Sequence, residues 1–236
     1  MKYLIICNIP REGPGLIGDI LNRNSIEYDI FDFQNNYKIP SNNYYDALIV
    51  LGGPDSANDN TPKLIEELQI IKEYIDAGIP YFGICLGLQL LVKAFGGLVI
   101  KNPIKEVGWR DPLGNFFNVN LTVDGKNDPV FRKVNPSFKI FQLHGETVDI
   151  NPEIRLLGTG KYCDNQIIKY KDKAYGFQGH IELNEQMFLK WIEEDEDLKK
   201  LDNESMIKDY YSIKREYEYI GKKIFNNFII LTKSIV

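Results

Sequence analysis

The stretch Pro80-Tyr81-Phe82-Gly83-Ile84-Cys85-Leu86-Gly87-Leu88-Gln89-Leu90-Leu91-Val92 constrains this chain more than any other. A short apolar segment runs through a cysteine set between two glycines and into an apolar run of helical character. That is the pattern of a nucleophile elbow, a sharp strand-to-helix turn that lifts one side chain off the end of a sheet. Gly83 and Gly87 suit such a turn, because larger side chains would collide with neighbouring chain. A cysteine there also sits at the positive end of the helix dipole. A buried core cysteine shows the same local pattern, so the decision rests on the remaining sequence.

Around this stretch the chain alternates strands and helices. Tyr3 to Cys7 reads as a buried strand and Gly13 to Asn24 as a helix with Leu16, Ile17, Ile20 and Leu21 on one stripe. Glu12-Gly13-Pro14-Gly15 lacks the spacing of a phosphate loop and reads as a turn. Tyr28 to Phe33 and Asp46 to Leu51 are further strands, with a polar loop over 35–43 between them. Thr61-Pro62 opens a helix whose stripe is Leu64, Ile65, Leu68, Ile71 and Ile75, and Gly78 stops it. This order predicts an α/β fold: a three-layer, open, mainly parallel sheet with flanking helices.

After residue 99 the pattern changes. Strands are expected over Asn115–Val123 and Phe138–His144, and a hairpin over Gln166–Tyr170 and Ala174–His180 around Lys171-Asp172-Lys173. These either extend the sheet or form a small extra β portion. From Asn184 the chain reads as helical, with Glu193-Glu194-Asp195-Glu196-Asp197 as a solvated face. A later helix carries the stripe Ile213, Tyr217, Ile220, Ile224 and Phe228. The expected organisation is one α/β domain over residues 1–190 and a C-terminal helical extension over 191–236 packed on it.

With 236 residues the chain can bury a substantial core. Its net charge of -5 argues against a nucleic-acid or anionic-membrane partner. No apolar run approaches the roughly 20 residues of a membrane helix, and no signal peptide is visible at the start, so a cytoplasmic protein is expected. Cys7, Cys85 and Cys163 are scattered and lack the paired spacing of zinc sites or disulfide frameworks, so neither metal nor cofactor is expected. Only two histidines, His144 and His180, could partner Cys85. His180 stands two residues before Glu182, which fits a nucleophile, base and orienting acid in the order Cys85, His180, Glu182.

Three ordered segments, Gly52-Gly53-Pro54, Gly83-Ile84-Cys85-Leu86-Gly87-Leu88-Gln89 and Gly176-Phe177-Gln178-Gly179-His180-Ile181-Glu182, resemble the signatures of class I glutamine amidotransferases. Glu106-Val107-Gly108-Trp109 and His144-Gly145-Glu146-Thr147 resemble segments of the free-standing subgroup related to the glutaminase half of GMP synthase. The resemblance covers roughly residues 1 to 190. It implies the flavodoxin-like fold of that family and hydrolysis of glutamine's side-chain amide through a γ-glutamyl thioester on Cys85. His180 would be the base and Glu182 its orienting group. The amides of Gly53 and Leu86 would form the oxyanion hole, and Gln89, His144 and Glu146 would bind substrate. The implied partners are a small molecule, glutamine or a γ-glutamyl compound, and an ammonia-accepting synthetase subunit. A γ-glutamyl peptidase with the same triad, a non-catalytic regulatory subunit and a cysteine hydrolase of α/β-hydrolase type are the other readings. The last places its acid before its histidine, unlike Glu182. The chain departs from the family at Gly179, where an aromatic residue is usual, and at Ile181, where a proline is usual, which predicts a less rigid segment around His180.

Overall fold

The computed structural model describes residues 1–32, 38–41 and 44–233. Its elements run β1 (Lys2–Cys7), α1 (Gly15–Arg23), β2 (Glu27–Asp32), β3 (Ala47–Val50), α2 (Pro62–Asp76), β4 (Tyr81–Ile84), α3 (Leu86–Ala94) and β5 (Leu98–Gly108). They continue with β6 (Asn118–Leu121), α4 (Val123–Asn127), β7 (Ser137–Lys139), β8 (Gln142–Asp149), β9 (Ile154–Thr159), β10 (Ile167–Tyr170), β11 (Ala174–Phe177), α5 (Glu185–Glu194) and α6 (Asn203–Lys233). Phe33 and most of the expected 35–43 loop lie outside the described residues.

Among the described residues one sheet holds nine strands in the order β2-β1-β3-β4-β11-β10-β9-β6-β7. The five strands from β2 to β11 are parallel, and the four beyond β11 continue antiparallel. The parallel strands β1, β3 and β4 are buried almost throughout, because helices cover both faces. On one face α1 and the C-terminal half of α6 bury Ile17, Ile20, Ile224 and Phe228. On the other, α2 and α3 bury Leu64, Ile71, Leu88 and Leu91. The three-layer expectation is met, and both versions of the extra β portion are present: β6, β7, β9 and β10 extend the sheet, while β5 and β8 pair as a separate antiparallel ribbon.

Four local readings change. The expected strand over 138–144 breaks at Ile140-Phe141, where the chain leaves the large sheet for the ribbon; Phe141 bridges His180 instead. The eleven-residue β5 escapes pattern reading because Pro103 lies within it and its register to β8 shifts between Lys101 and Glu106. On α2 the buried face is Leu64, Glu67, Ile70, Ile71, Tyr74 and Ile75, while Ile65 is 51% exposed, since one residue is a 100° rotation around a helix. The acidic run is solvated only in part: Glu193, Glu194 and Glu196 are exposed, but α5 ends at Glu194 and Asp195 is buried against Arg11, whose Nη2 donates to it at 2.8 Å. No helix among the described residues is long and apolar enough to cross a membrane.

Glu67 is the charged exception in the α2 face. It is fully buried, accepts a hydrogen bond from Asn8 Nδ2 at 3.1 Å, and burial raises its carboxyl to about 7. The folded chain therefore holds a proton that the unfolded chain releases above its ordinary 4.5. That contribution to stability is present at low pH and lost as pH rises through about 7. Glu67→Gln keeps the acceptor and cannot ionise. It should be more stable than the parent in alkaline buffer by on the order of 1–3 kcal/mol, with the gain shrinking toward acid. Denaturant unfolding at about pH 5 and about pH 8 measures this; an equal difference at both would refute the role given to ionisation.

Candidate active site

Cys85 stands between β4 and α3 with φ 51° and ψ -104°, the left-handed region that a non-glycine residue enters only at a local energetic cost. The turn is held from both sides: the Cys85 amide donates to Phe177 O at 2.7 Å, and the Gln89 amide donates to Cys85 O at 3.1 Å. The glycines follow from close approach. A Cβ at Gly87 would lie 2.2 Å from Val50 O, and one at Gly83 would lie 2.6 Å from the backbone of Gly87. The elbow expected from the sequence is therefore present, at the carboxyl end of a central strand.

His180 follows β11, the strand paired with β4, and so arrives at the same edge of the sheet. Its backbone is paired with Phe141, the His180 amide donating at 2.8 Å. Its side chain shares the cavity wall with Cys85, and its Nδ1 lies 2.7 Å from Glu182 Oε1. Glu182 Oε2 accepts from the Ile181 amide at 2.9 Å, which fixes the carboxylate. Burial opposes the imidazolium, but the adjoining Glu182 carboxylate and Cys85 outweigh it, so His180 is held well above its ordinary 6.5.

The segment around His180 is firmly held despite Gly179 and Ile181. A Cβ at Gly179 would meet Gln142 Oε1 at 2.7 Å and Ile140 Cδ1 at 2.8 Å, so this chain has no room there for an aromatic side chain. Support comes instead from the C-terminal helices. Tyr217 on α6 donates its hydroxyl hydrogen to His180 O at 3.0 Å and accepts from the Leu183 amide at 3.2 Å. Gly221, one turn on, lets α6 approach so closely that a Cβ there would stand 2.1 Å from Ile181 O. From α5, the Trp191 ring meets His180 edge-on at 4.7 Å.

These residues open onto a cavity of about 600 Å³ whose wall includes Gly53, Cys85, Gln89, His144, Glu146 and His180. Gly53 lies against Leu86, a Cβ on it coming 3.2 Å from Leu86 Cδ2, so both proposed oxyanion donors border the elbow. Gln89 Nε2 donates to Glu146 O at 3.1 Å. Both ring nitrogens of His144 face protein groups, Nδ1 at 2.9 Å from Glu146 O and Nε2 at 2.9 Å from Glu106 Oε2.

Sequence reading missed Glu12. The turn it was assigned to brings a buried carboxyl into the cavity wall beside Gly52, where a Cβ would meet Glu12 Oε2 at 2.2 Å and His180 Cε1 at 3.2 Å. Burial pushes Glu12 up to about 7, against the pull of His180 and Arg11. Asp195 and Asp197 also line the cavity, tied to Arg11 and Lys105 respectively. No local signal marks these residues, because only the tertiary fold carries the chain after α5 back across the site.

Comparison with known proteins agrees with this geometry. The family model "Glutamine amidotransferase class-I" matches residues 17–194, and the chain belongs to that family. The glutamine amidotransferase-like protein YfeJ of Salmonella typhimurium is 28% identical over 148 residues, 61% of this chain and 59% of that protein. The glutamine-hydrolysing GMP synthase of Thermosipho africanus is 31% identical over 145 residues, covering 60% of this chain and only 25% of that enzyme. Among solved structures, a glutamine amidotransferase from Thermotoga maritima superposes with a TM-score of 0.86 at 26% identity, over 97% of this chain and 98% of its own. Another from Methylobacillus flagellatus gives 0.85 at 25% identity, over 97% and 94%.

Two measurements test the site's supports. Tyr217→Phe leaves the Leu183 amide buried without its partner and the His180 carbonyl with only the Phe141 amide at 3.3 Å, and should destabilise the fold by about 1–3 kcal/mol. Unfolding free energies decide it, and a neutral substitution would mean the hydroxyl bridge carries no weight. Glu182→Gln removes a charge that favours the imidazolium, so His180 should titrate at lower pH than in the parent. Histidine nitrogen resonances followed across pH report this directly; an unmoved or raised titration would contradict the pairing.

Proposed function

We propose that this chain hydrolyses the side-chain amide of glutamine to glutamate and ammonia, with Cys85, His180 and Glu182 as its catalytic triad. The observation that carries the reading is that Cys85, at the elbow of a class I amidotransferase fold, shares a cavity wall with the hydrogen-bonded pair His180–Glu182. Cys85 Sγ attacks the amide carbon, and the amides of Gly53 and Leu86 receive the developing oxyanion. His180, holding the thiol's proton, transfers it to the departing nitrogen as the C–N bond breaks. It then takes a proton from water, whose oxygen attacks the γ-glutamyl thioester, freeing glutamate and restoring the thiol. Glu182 keeps the imidazole oriented and stabilises its charged form. Gln89, His144 and Glu146 border the substrate, with the His144 ring acting through the β8 backbone it holds.

The relatives named GMP synthase support an ammonia-accepting synthetase as partner and a cytoplasmic setting. In this reading residues 1–190 are the amidotransferase domain and 191–236 a helical extension packed on it. A second reading, a γ-glutamyl peptidase using the same thioester chemistry, is favoured by the size of the cavity, about 600 Å³. Such a volume suits a ligand larger than a single amino acid.

Ammonia release from glutamine and amine release from short γ-glutamyl peptides, assayed on the full chain, separate the two. Glutamine turnover should be weak in the chain alone, abolished by Cys85→Ala and lowered about 10²–10⁴-fold by His180→Ala, with Glu182→Gln retaining part of it. Strong peptide cleavage with negligible glutamine hydrolysis would replace the first reading with the second. Turnover that survives both Cys85→Ala and His180→Ala would sink the triad.

A further inference from the structure

Behind the cavity wall, β5, β8 and the loop before β10 bring together Glu106, His144 and Cys163, three residues far apart in sequence. All three are at least 95% buried, and their donor atoms lie within 4.8 Å of one another. The tautomer of His144 follows from its neighbours. Nδ1 lies 2.9 Å from Glu146 O, and a carbonyl oxygen only accepts, so the bond requires the proton on Nδ1. A neutral ring then presents a bare lone pair at Nε2. That lone pair lies 2.9 Å from Glu106 Oε2, itself an acceptor when ionised.

Two acceptors at this distance repel unless a cation lies between them. A proton fits poorly, because Nε2 makes no hydrogen bond: the carboxylate oxygen lies off the direction in which an N–H would point. Among the described residues Glu106 makes no ion pair besides the contact with His144, and a neutral His144 ring leaves the buried carboxylate without compensation. We propose that Glu106 Oε2, His144 Nε2 and Cys163 Sγ bind a divalent metal ion of the zinc type. The donor set suits such an ion, which takes nitrogen, oxygen and thiolate ligands at roughly 2.0–2.3 Å. The outer contacts are those of a metal site: the far nitrogen of the histidine held by a carbonyl, and the carboxylate held by Gln166 Nε2 at 3.0 Å. Gln166 Oε1, fully buried and without a partner, is a further oxygen beside the cluster. Binding displaces the thiol proton of Cys163 to solvent, leaving the sulfur as thiolate. The ion would tie the β5–β8 ribbon, which forms one wall of the cavity, to the loop over residues 160–166. This site is independent of the substrate assigned above.

The test is addition of Co²⁺ to the full-length, chelator-treated, reduced protein, followed by absorption spectroscopy and competition with Zn²⁺. One equivalent of Co²⁺ should produce a sulfur-to-cobalt charge-transfer band that Zn²⁺ removes. The band should be lost in Cys163→Ser and kept in Cys7→Ser and Cys85→Ser. Glu106→Gln should weaken binding at least about tenfold. Zn²⁺ should also raise the thermal midpoint of the parent and leave that of Cys163→Ser unmoved. Absence of both the band and the midpoint shift in the parent would overturn the proposal. So would a band that survives Cys163→Ser and disappears in Cys85→Ser, since the ion would then sit at the triad.

Discussion

The pairing of β4 with β11 is the contact on which the rest of the site depends. Parallel strands in register, Ile84 opposite Phe177, send the elbow and the histidine segment off the same edge of the sheet. The hydrogen bond from the Cys85 amide to Phe177 O extends that register by one residue into the turn. Because parallel ladders demand both faces be covered, this pairing also requires the helix layers that bury it. The Cys85 sulfur and the His180 imidazole therefore owe their proximity to sheet geometry before any side chain is considered.

Around this edge the protein concentrates buried ionisable groups. Glu12, Glu182 and His180 lie within one small volume, the Glu12 carboxyl pushed up by burial and the His180 imidazole held up by its charged neighbours. Arg11, 3.9 Å from Glu12 and 2.8 Å from Asp195, opposes the upward shift of the Glu12 carboxyl.

The long C-terminal helix lies outside the segment matched by the family model, yet it is part of both core and site. Its later half, through Ile224, Phe225 and Phe228, completes the hydrophobic layer under β4 and β11. Its earlier half carries Tyr217 to the backbone on either side of His180 and Glu182. A family signature that places proline after the histidine achieves stiffness locally; here the same segment is stiffened from a distance by a phenol and a close helix approach at Gly221.

The division between what sequence and structure decide follows the range of the interactions. Periodicity and glycine spacing are local, and they sufficed for the α/β order, the elbow at Cys85, the β10–β11 hairpin and the α6 stripe. The proposed triad could be picked out from the sequence because its chemistry restricts residue types and only two histidines compete. What the sequence could not show depends on contacts between distant segments. Glu12 looks like a turn residue until His180 lies beside it, and Asp195 like part of a solvated run until Arg11 meets it. Glu106, His144 and Cys163 carry no metal-binding spacing along the chain and become neighbours only when β5 folds onto β8. Local pattern records which face of an element is buried; which charges meet there is set by tertiary packing alone.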